Sequence, residues 1–329
     1  NDLHMDVVYD VYSYLYGGNM DMDAPACTTG KSVHNHGVDG RIESTGKGIY
    51  YILRDICDQS TGLKSFRRKA KLLQGLKGKK FIVQGFGNVG YWTSKFLCED
   101  GAVLQGVTVD FGSIYNEKGM NPDDVMAALA DYKNTGKDTK LKALGKFTMD
   151  DSAMFMKTDI LIPAAVEMAI NRSNMERVKA KVIVEAANGC VSVAADEYLD
   201  EKGVVIIPDV VAGTGGLVSS YFEYLSNIDR RKQHDLITKW EEKSKISMLS
   251  LIESVFDKAK FDIDFVDELR NTYMEGPQEK DLHNGFIENI LGTALKRVIV
   301  TMEEKQCSMR TAAYNVAIKR ISNNYDHTG

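Results

Sequence analysis

The stretch from residue 79 to residue 110 constrains this chain more than any other. Phe81-Ile82-Val83-Gln84 is a short apolar run between a lysine cluster and glycines, the pattern of a strand buried on both faces. Gly85-Phe86-Gly87-Asn88-Val89-Gly90 follows at once, and helical spacing then runs from Val89 to Leu97. A second apolar run, Val103 to Val109, ends at Asp110, which stands 20 residues after Gly90. Alone, G-x-G-x-x-G says little. Set between a strand and a helix, with an acid closing the next strand, it is the context that a dinucleotide site requires. Gly85 permits the tight turn, Gly87 lets the backbone approach a pyrophosphate, and Gly90 lets helix and strand pack closely. The first N–H groups of the helix, together with its dipole, favour phosphates. Asp110 is placed to accept hydrogen bonds from an adenosine ribose. Its charge would repel a 2′-phosphate, which favours NAD over NADP.

The same alternation continues. Asn121 caps a helix with Pro122 in its first turn. Three more apolar strands are expected at Asp159 to Pro163, Lys181 to Glu185 and Val204 to Pro208, each separated from the next by a helical segment. Strand and helix in this order predict an α/β fold with a Rossmann-like, doubly wound parallel sheet. Loops at the carboxyl ends of such strands face the ligand crevice. Asn188-Gly189 and Gly213-Thr214-Gly215-Gly216 are therefore expected on its nicotinamide side. Before the sheet, a helix is expected over Met5 to Leu15, a loop around Gly17 to Pro25, a loop of small residues around Gly37 to Gly48, and a helix near Ile49 to Asp58. After it come a helix over Leu217 to Ile228, a long charged amphipathic helix over 230–258, a polar excursion over 260–285, and helices over 286–305 and 309–323.

Bulk properties exclude several classes. A chain of 329 residues buries a sizeable core without staples and suggests about two domains. The net charge of −5 leaves no electrostatic footprint for nucleic acid. No apolar run approaches the roughly 20 residues that cross a bilayer. Five scattered cysteines, none spaced as C-x-x-C, argue against a disulfide framework or zinc site and for a reducing compartment. His34 and His36 lack the companions of a metal site, and no metal is expected.

His36-Gly37-Val38-Asp39-Gly40-Arg41-Ile42-Glu43-Ser44-Thr45-Gly46-Lys47-Gly48 resembles the glutamate dehydrogenase signature around its substrate arginine and cofactor threonine. Val83 to Gly90 is similar to that family's fingerprint. Gly112 to Asn116, Ile162 to Ala165, Glu185 to Gly189, Gly215-Gly216, Ser220 to Leu225 and Arg310 to Tyr314 follow in the family's order and spacing. The segment between Arg230 and Gly285 resembles the antenna of the hexameric animal and ciliate enzymes. On this resemblance, 1–60 is the end of a substrate domain, 61–228 the dinucleotide-binding domain, 229–285 the antenna and 286–329 the pivot and C-terminal helices.

The resemblance implies oxidative deamination of glutamate to 2-oxoglutarate and ammonium, with NAD or possibly NADP as hydride acceptor, in a homohexamer of the mitochondrial matrix. It implies Arg41, Ser220 and Leu217 as the substrate contacts. It places Thr45, Gly85, Phe86, Gly87, Asn88, Val89, Gly90, Asp110, Ala165 and Asn188 on the cofactor. His283 matches a position that the family uses for GTP. The family's catalytic lysine and aspartate are expected upstream of Asn1, so no catalytic residue is assigned within these residues. Four positions depart from the pattern: Gly213 stands where an asparagine is expected, Cys190 for a proline, Val109 for an acid, and Leu291 or Gly292 for an arginine tied to ADP. Gly213 and Leu291 support a competing reading, a non-catalytic assembly or regulatory subunit. A dehydrogenase of apolar amino acids is a third, against which the antenna-like segment argues.

Overall fold

The computed structural model describes residues 2–17, 21, 23–57, 72, 74–228, 243–245, 247–248 and 278–328. The chain forms two compact units, Asn1–Arg41 with Ser219–Phe286, and Ile42–Val218 with Ile287–Gly329.

The second unit is built on a seven-stranded sheet. Its strands are β1 (Lys80–Gln84), β2 (Val103–Val109), β3 (Gly112–Tyr115), β4 (Lys146–Thr148), β5 (Thr158–Pro163), β6 (Ala180–Val184) and β7 (Val205–Ile207). They lie in the order β4-β3-β2-β1-β5-β6-β7. The five strands expected from the apolar runs, β2, β1, β5, β6 and β7, are mutually parallel. Phe81, Ile82 and Val83 are all fully buried, as a sheet covered on both faces demands. On one face Ile82, Leu161 and Ile183 pack with Met154, Phe155, Ala195 and Leu199. Burying each large side chain there contributes about 1.5–3 kcal/mol.

Two features depart from expectation. The sheet is mixed at one edge, where β3 returns antiparallel to β2 and β4 antiparallel to β3. These strands are only four and three residues long, too short to carry a period. The link from β5 to β6 also holds no α-helix, only the 3-10 turn Met175–Arg177. Side chains take over the backbone groups in this segment: Asn171 accepts from Ser173 N–H, and Asn174 accepts from Asn171 N–H. Local capping of this kind competes with helix formation.

The helices of this unit are α2 (Ser44–Cys57), α3 (Asn88–Glu99), α4 (Pro122–Thr135), α5 (Thr139–Leu144), α6 (Val193–Glu201) and α7 (Asp209–Ala212), after α1 (Asp2–Tyr12) of the first unit. The Asn121 side chain accepts from Asp123 N–H at 2.8 Å, so the expected cap forms. Further on come α8 (Thr214–Ile228), α9 (Glu279–Lys305) and α10 (Met309–Thr328). The Gly213–Gly216 stretch, expected as a loop, is thus already helical from Thr214. The glycines serve a close helix contact instead of a turn. A Cβ on Gly48 would lie 2.8 Å from Gly215 Cα, and one on Gly215 would lie 2.4 Å from Ser44 O.

In the first unit, α1 begins before the expected Met5 and passes into a π-turn over Ser13–Gly17. Helix α9 begins at Glu279, not at residue 286. Gln278 N–H donates to the Asp281 carboxylate, and Glu279 and Asp281 supply negative charge where the helix dipole favours it. The long helix over 230–258 and most of the polar excursion lie outside the described residues.

Candidate functional site

Strand β1 has β2 on one side and β5 on the other, and the chain visits β2 first and β5 later. The loops after β1 and β5 therefore part at a topological switch point, where open α/β sheets bind ligands. Ala164 N–H donates to Gln84 O at 2.7 Å, drawing the two loops together at their roots. Gly85 turns there with φ +85°, and a Cβ on it would stand 2.7 Å from the Ala165 Cβ. A Cβ on Gly90 would stand 2.0 Å from Gly85 O, so the third glycine closes helix α3 onto the turn. Gly87 differs from both: it is exposed, and a Cβ on it meets nothing within 4 Å. Gly87 is the N-cap of α3, whose first N–H groups have no acceptor within their own helix. Two buried oxygens at this end of the sheet, Gln84 Oε1 and Thr108 Oγ1, have no hydrogen-bond partner among the described residues. Open backbone and a helix N-terminus together fit a bound pyrophosphate nucleotide.

The other cofactor candidates occupy this same unit. Asp110 is exposed and forms, with Phe111, the two-residue turn of the β2–β3 hairpin. Phe86 is buried beside Tyr91, Val89 is half-buried, and the Asn88 amide donates to Ile42 O at 2.7 Å. That bond ties the start of α3 to the segment leading into α2, whose first turn holds Thr45. Ala165 is exposed in the loop after β5, and Asn188 is exposed in the loop after β6. The latter loop turns at Gly189, with φ +56°, and is held by carboxylates. Gly189 N–H donates to Asp209 Oδ2 at 2.8 Å and Val191 N–H to Glu185 Oε1 at 3.1 Å. Cys190, between them, is fully buried. Burial first, and then the Glu185 charge, pushes its thiol up to about 12, far from the thiolate form that reacts.

In the first unit, the structure brings two substrate candidates together across 179 residues. Arg41 Nη2 donates to Ser220 Oγ at 2.6 Å. Burial lowers the arginine pKa from its usual value, and the Glu223 charge opposes that. Leu217 lies three residues before Ser220 on α8 and is 69% exposed.

Sequence reasoning missed the residues behind this pair. Glu223, one helical turn after Ser220, and Lys31 form an ion pair at 2.9 Å with both side chains fully buried. Glu223 also accepts from Gly30 N–H at 2.8 Å and faces Arg41 Nε at 3.8 Å. No local spacing points to a partner 192 residues away. His283, expected in a polar loop, lies instead on α9, fully buried, with its Nε2 2.7 Å from Ser219 Oγ. Its ring packs on Phe222 at 5.2 Å. Helix α9 starts early enough to carry this position into the packed interior. Leu291 is buried, and its Cδ1 would lie 3.1 Å from a Cβ on Gly48, so it serves packing. All five cysteines are free thiols. No described helix is long and apolar enough to cross a membrane.

A family model described as Glutamate/Leucine/Phenylalanine/Valine dehydrogenase matches residues 37–268. The mitochondrial glutamate dehydrogenase of Dictyostelium discoideum is 37% identical over 311 residues, covering 94% of this chain and 59% of that protein. An NADP-specific glutamate dehydrogenase from Saccharolobus shibatae is 40% identical over 202 residues, 61% of this chain and 44% of that protein. Among solved structures, the Leu-bound hetero-hexameric glutamate dehydrogenase from Thermus thermophilus superposes with a TM-score of 0.68. It is 21% identical and is covered over 100% of this chain and 62% of its own, a likeness of fold. The chain thus spans about three-fifths of the length of the Dictyostelium relative.

Proposed function

This chain belongs to the Glutamate/Leucine/Phenylalanine/Valine dehydrogenase family, and from that premise we propose that it supplies the dinucleotide-binding part of an NAD(P)-dependent glutamate dehydrogenase. The reaction is oxidative deamination of L-glutamate to 2-oxoglutarate and ammonium. The observation that carries this reading is the open turn at Gly87, set at the switch point of the sheet. The names of the relatives favour glutamate over an apolar amino acid, and an enzyme over an assembly subunit.

When bound, NAD(P) would supply the acceptor for the hydride that leaves the substrate Cα. Gly85 to Gly90 with the N-terminus of α3 hold the pyrophosphate through backbone N–H groups, a charge-assisted contact that needs no side chain. Asp110, at the exposed hairpin turn, accepts from the adenosine ribose and disfavours a 2′-phosphate, which makes NAD the preferred cofactor. Thr45, Ala165 and Asn188 orient the nicotinamide end. Arg41, with Ser220 beside it, presents a guanidinium to a substrate carboxylate, while Glu223 fixes the direction of that guanidinium from behind. Leu217, three residues before Ser220 in sequence and exposed, is assigned to the substrate by the family pattern. Assembly into a hexamer is supported by the Thermus structure, and a mitochondrial setting by the Dictyostelium relative. The domain limits at residues 60, 228 and 285, with the third segment acting as an antenna, complete this reading.

The test uses the full polypeptide. Reduced-cofactor absorbance is followed with glutamate and NAD, and then with NADP. Glutamate-dependent reduction, faster with NAD, is the expected outcome; an assembled full-length protein that reduces neither cofactor overturns the enzymatic reading.

A further inference from the structure

The loop after β6 rests on an arrangement that local sequence gives no reason to expect. Two carboxylates lie beneath it, Glu185 fully buried and Asp209 largely so. Each clamps one side of the Gly189 turn: Asp209 Oδ2 accepts from Gly189 N–H, and Glu185 Oε1 accepts from Val191 N–H. Glu185 Oε2 also accepts from Asp209 N–H at 2.8 Å, which couples the two acids. Like charges so close would drive each other apart or take up a proton. Arg310, on α10, supplies the counter-charge. Its Nη2 donates to Glu185 Oε2 at 2.9 Å, its Nη1 to Asp209 Oδ1 at 3.3 Å, and its Nε to Asp196 Oδ2 at 2.7 Å. Each nitrogen of the planar fork serves a different acid. A lysine, with a single ammonium on a flexible stem, cannot reproduce that geometry.

The turn is braced from its other side by backbone alone, Met168 N–H donating to Gly189 O and Ile170 N–H to Cys190 O. Those bonds hold the carbonyls. The N–H side depends on the two carboxylates, and they depend on Arg310.

We propose that Arg310 is a positioning residue for the Asn188–Gly189 turn, setting from 122 residues away in sequence how Asn188 meets the nicotinamide half of the cofactor. The proposal rests on reading that turn as part of the dinucleotide site. It predicts a loss confined to one end of the ligand, because the phosphate turn at Gly85 to Gly90 lies on other strands and shares none of these bonds.

The test compares NADH with ADP-ribose, which keeps the adenosine and both phosphates but lacks nicotinamide. Titration of the full chain is done for wild type, Arg310→Met and Arg310→Lys, with near-UV circular dichroism confirming that each is folded. Arg310→Met is expected to weaken NADH roughly tenfold while ADP-ribose stays within about twofold. Arg310→Lys, which keeps the charge and loses the fork, is expected to fall between and remains informative if the methionine variant does not fold. A parallel loss of both ligands would mean a general structural role and overturn the proposal, as would unchanged NADH affinity in both variants. If the wild type binds neither ligand, the dinucleotide reading itself fails. If it binds ADP-ribose but gains nothing from nicotinamide, only the role given to this turn fails.

Discussion

The glycines at 85, 87 and 90 share a motif but not a physical task, and substitutions separate them. A side chain at 87 enters open space, so Gly87→Ala should leave the melting temperature nearly unchanged while weakening NADH binding, since the Cβ would stand where the phosphates approach. Gly85→Ala forces an L-residue into φ +85° against the Ala165 Cβ at 2.7 Å, which should cost about 2 kcal/mol or more in denaturant unfolding. Equal destabilisation by both substitutions would refute this division of roles. Asp110 belongs to the same scale. Asp110→Ser should raise the affinity for NADP relative to NAD, and an unchanged ratio in cofactor titrations would remove the ribose contact from it. The turn itself was readable in advance because its glycines are adjacent in sequence. Arg41 and Ser220 were reachable only through the family pattern. Lys31 and Glu223 were not reachable at all, since a buried ion pair between distant segments leaves no period behind.

Elements show the same boundary between local and distant information. The five parallel strands announced themselves because burial on both faces turns a strand into an unbroken apolar run. The antiparallel strands β3 and β4 did not, being only four and three residues long. The start of α9 was signalled by Pro277 and the acids at 279 and 281, yet polar composition argued for a loop. Helix α8 holds its unit together through Glu223, whose carboxylate meets Gly30 N–H, Lys31 and Arg41. Glu223→Gln preserves the shape but leaves Lys31 as a buried charge without its counter-ion. That change should destabilise the protein by about 3–5 kcal/mol, measurable by denaturant unfolding. A loss under about 1 kcal/mol would mean that water reaches the lysine, as at an exposed pair.

At the scale of the whole molecule, the Glu185 carboxylate under the Gly189 turn makes stability depend on pH. Burial raises the Glu185 pKa above its usual value, and the Asp209 backbone and Arg310 oppose that rise. The folded chain therefore holds this proton more tightly than the unfolded one. Between the ordinary and the raised value, stability falls as pH rises, and below that window the penalty is absent. Arg310→Met removes one of the opposing effects and extends the window upward. Its melting temperature should trail that of wild type most at about pH 8, above the carboxylate range, and least at about pH 4, within it. A gap independent of pH would contradict the linkage. The same arrangement also bears on synthesis. Glu185 and Asp209 leave the ribosome about a hundred residues before Arg310 does, so a nascent chain has the two acids in place long before their cation. The strands and the turn at Gly85 to Gly90 can assemble in that interval, whereas the Gly189 turn must wait for α10. Until that cation arrives, the Gly189 turn lacks the counter-charge that holds its two carboxylates together.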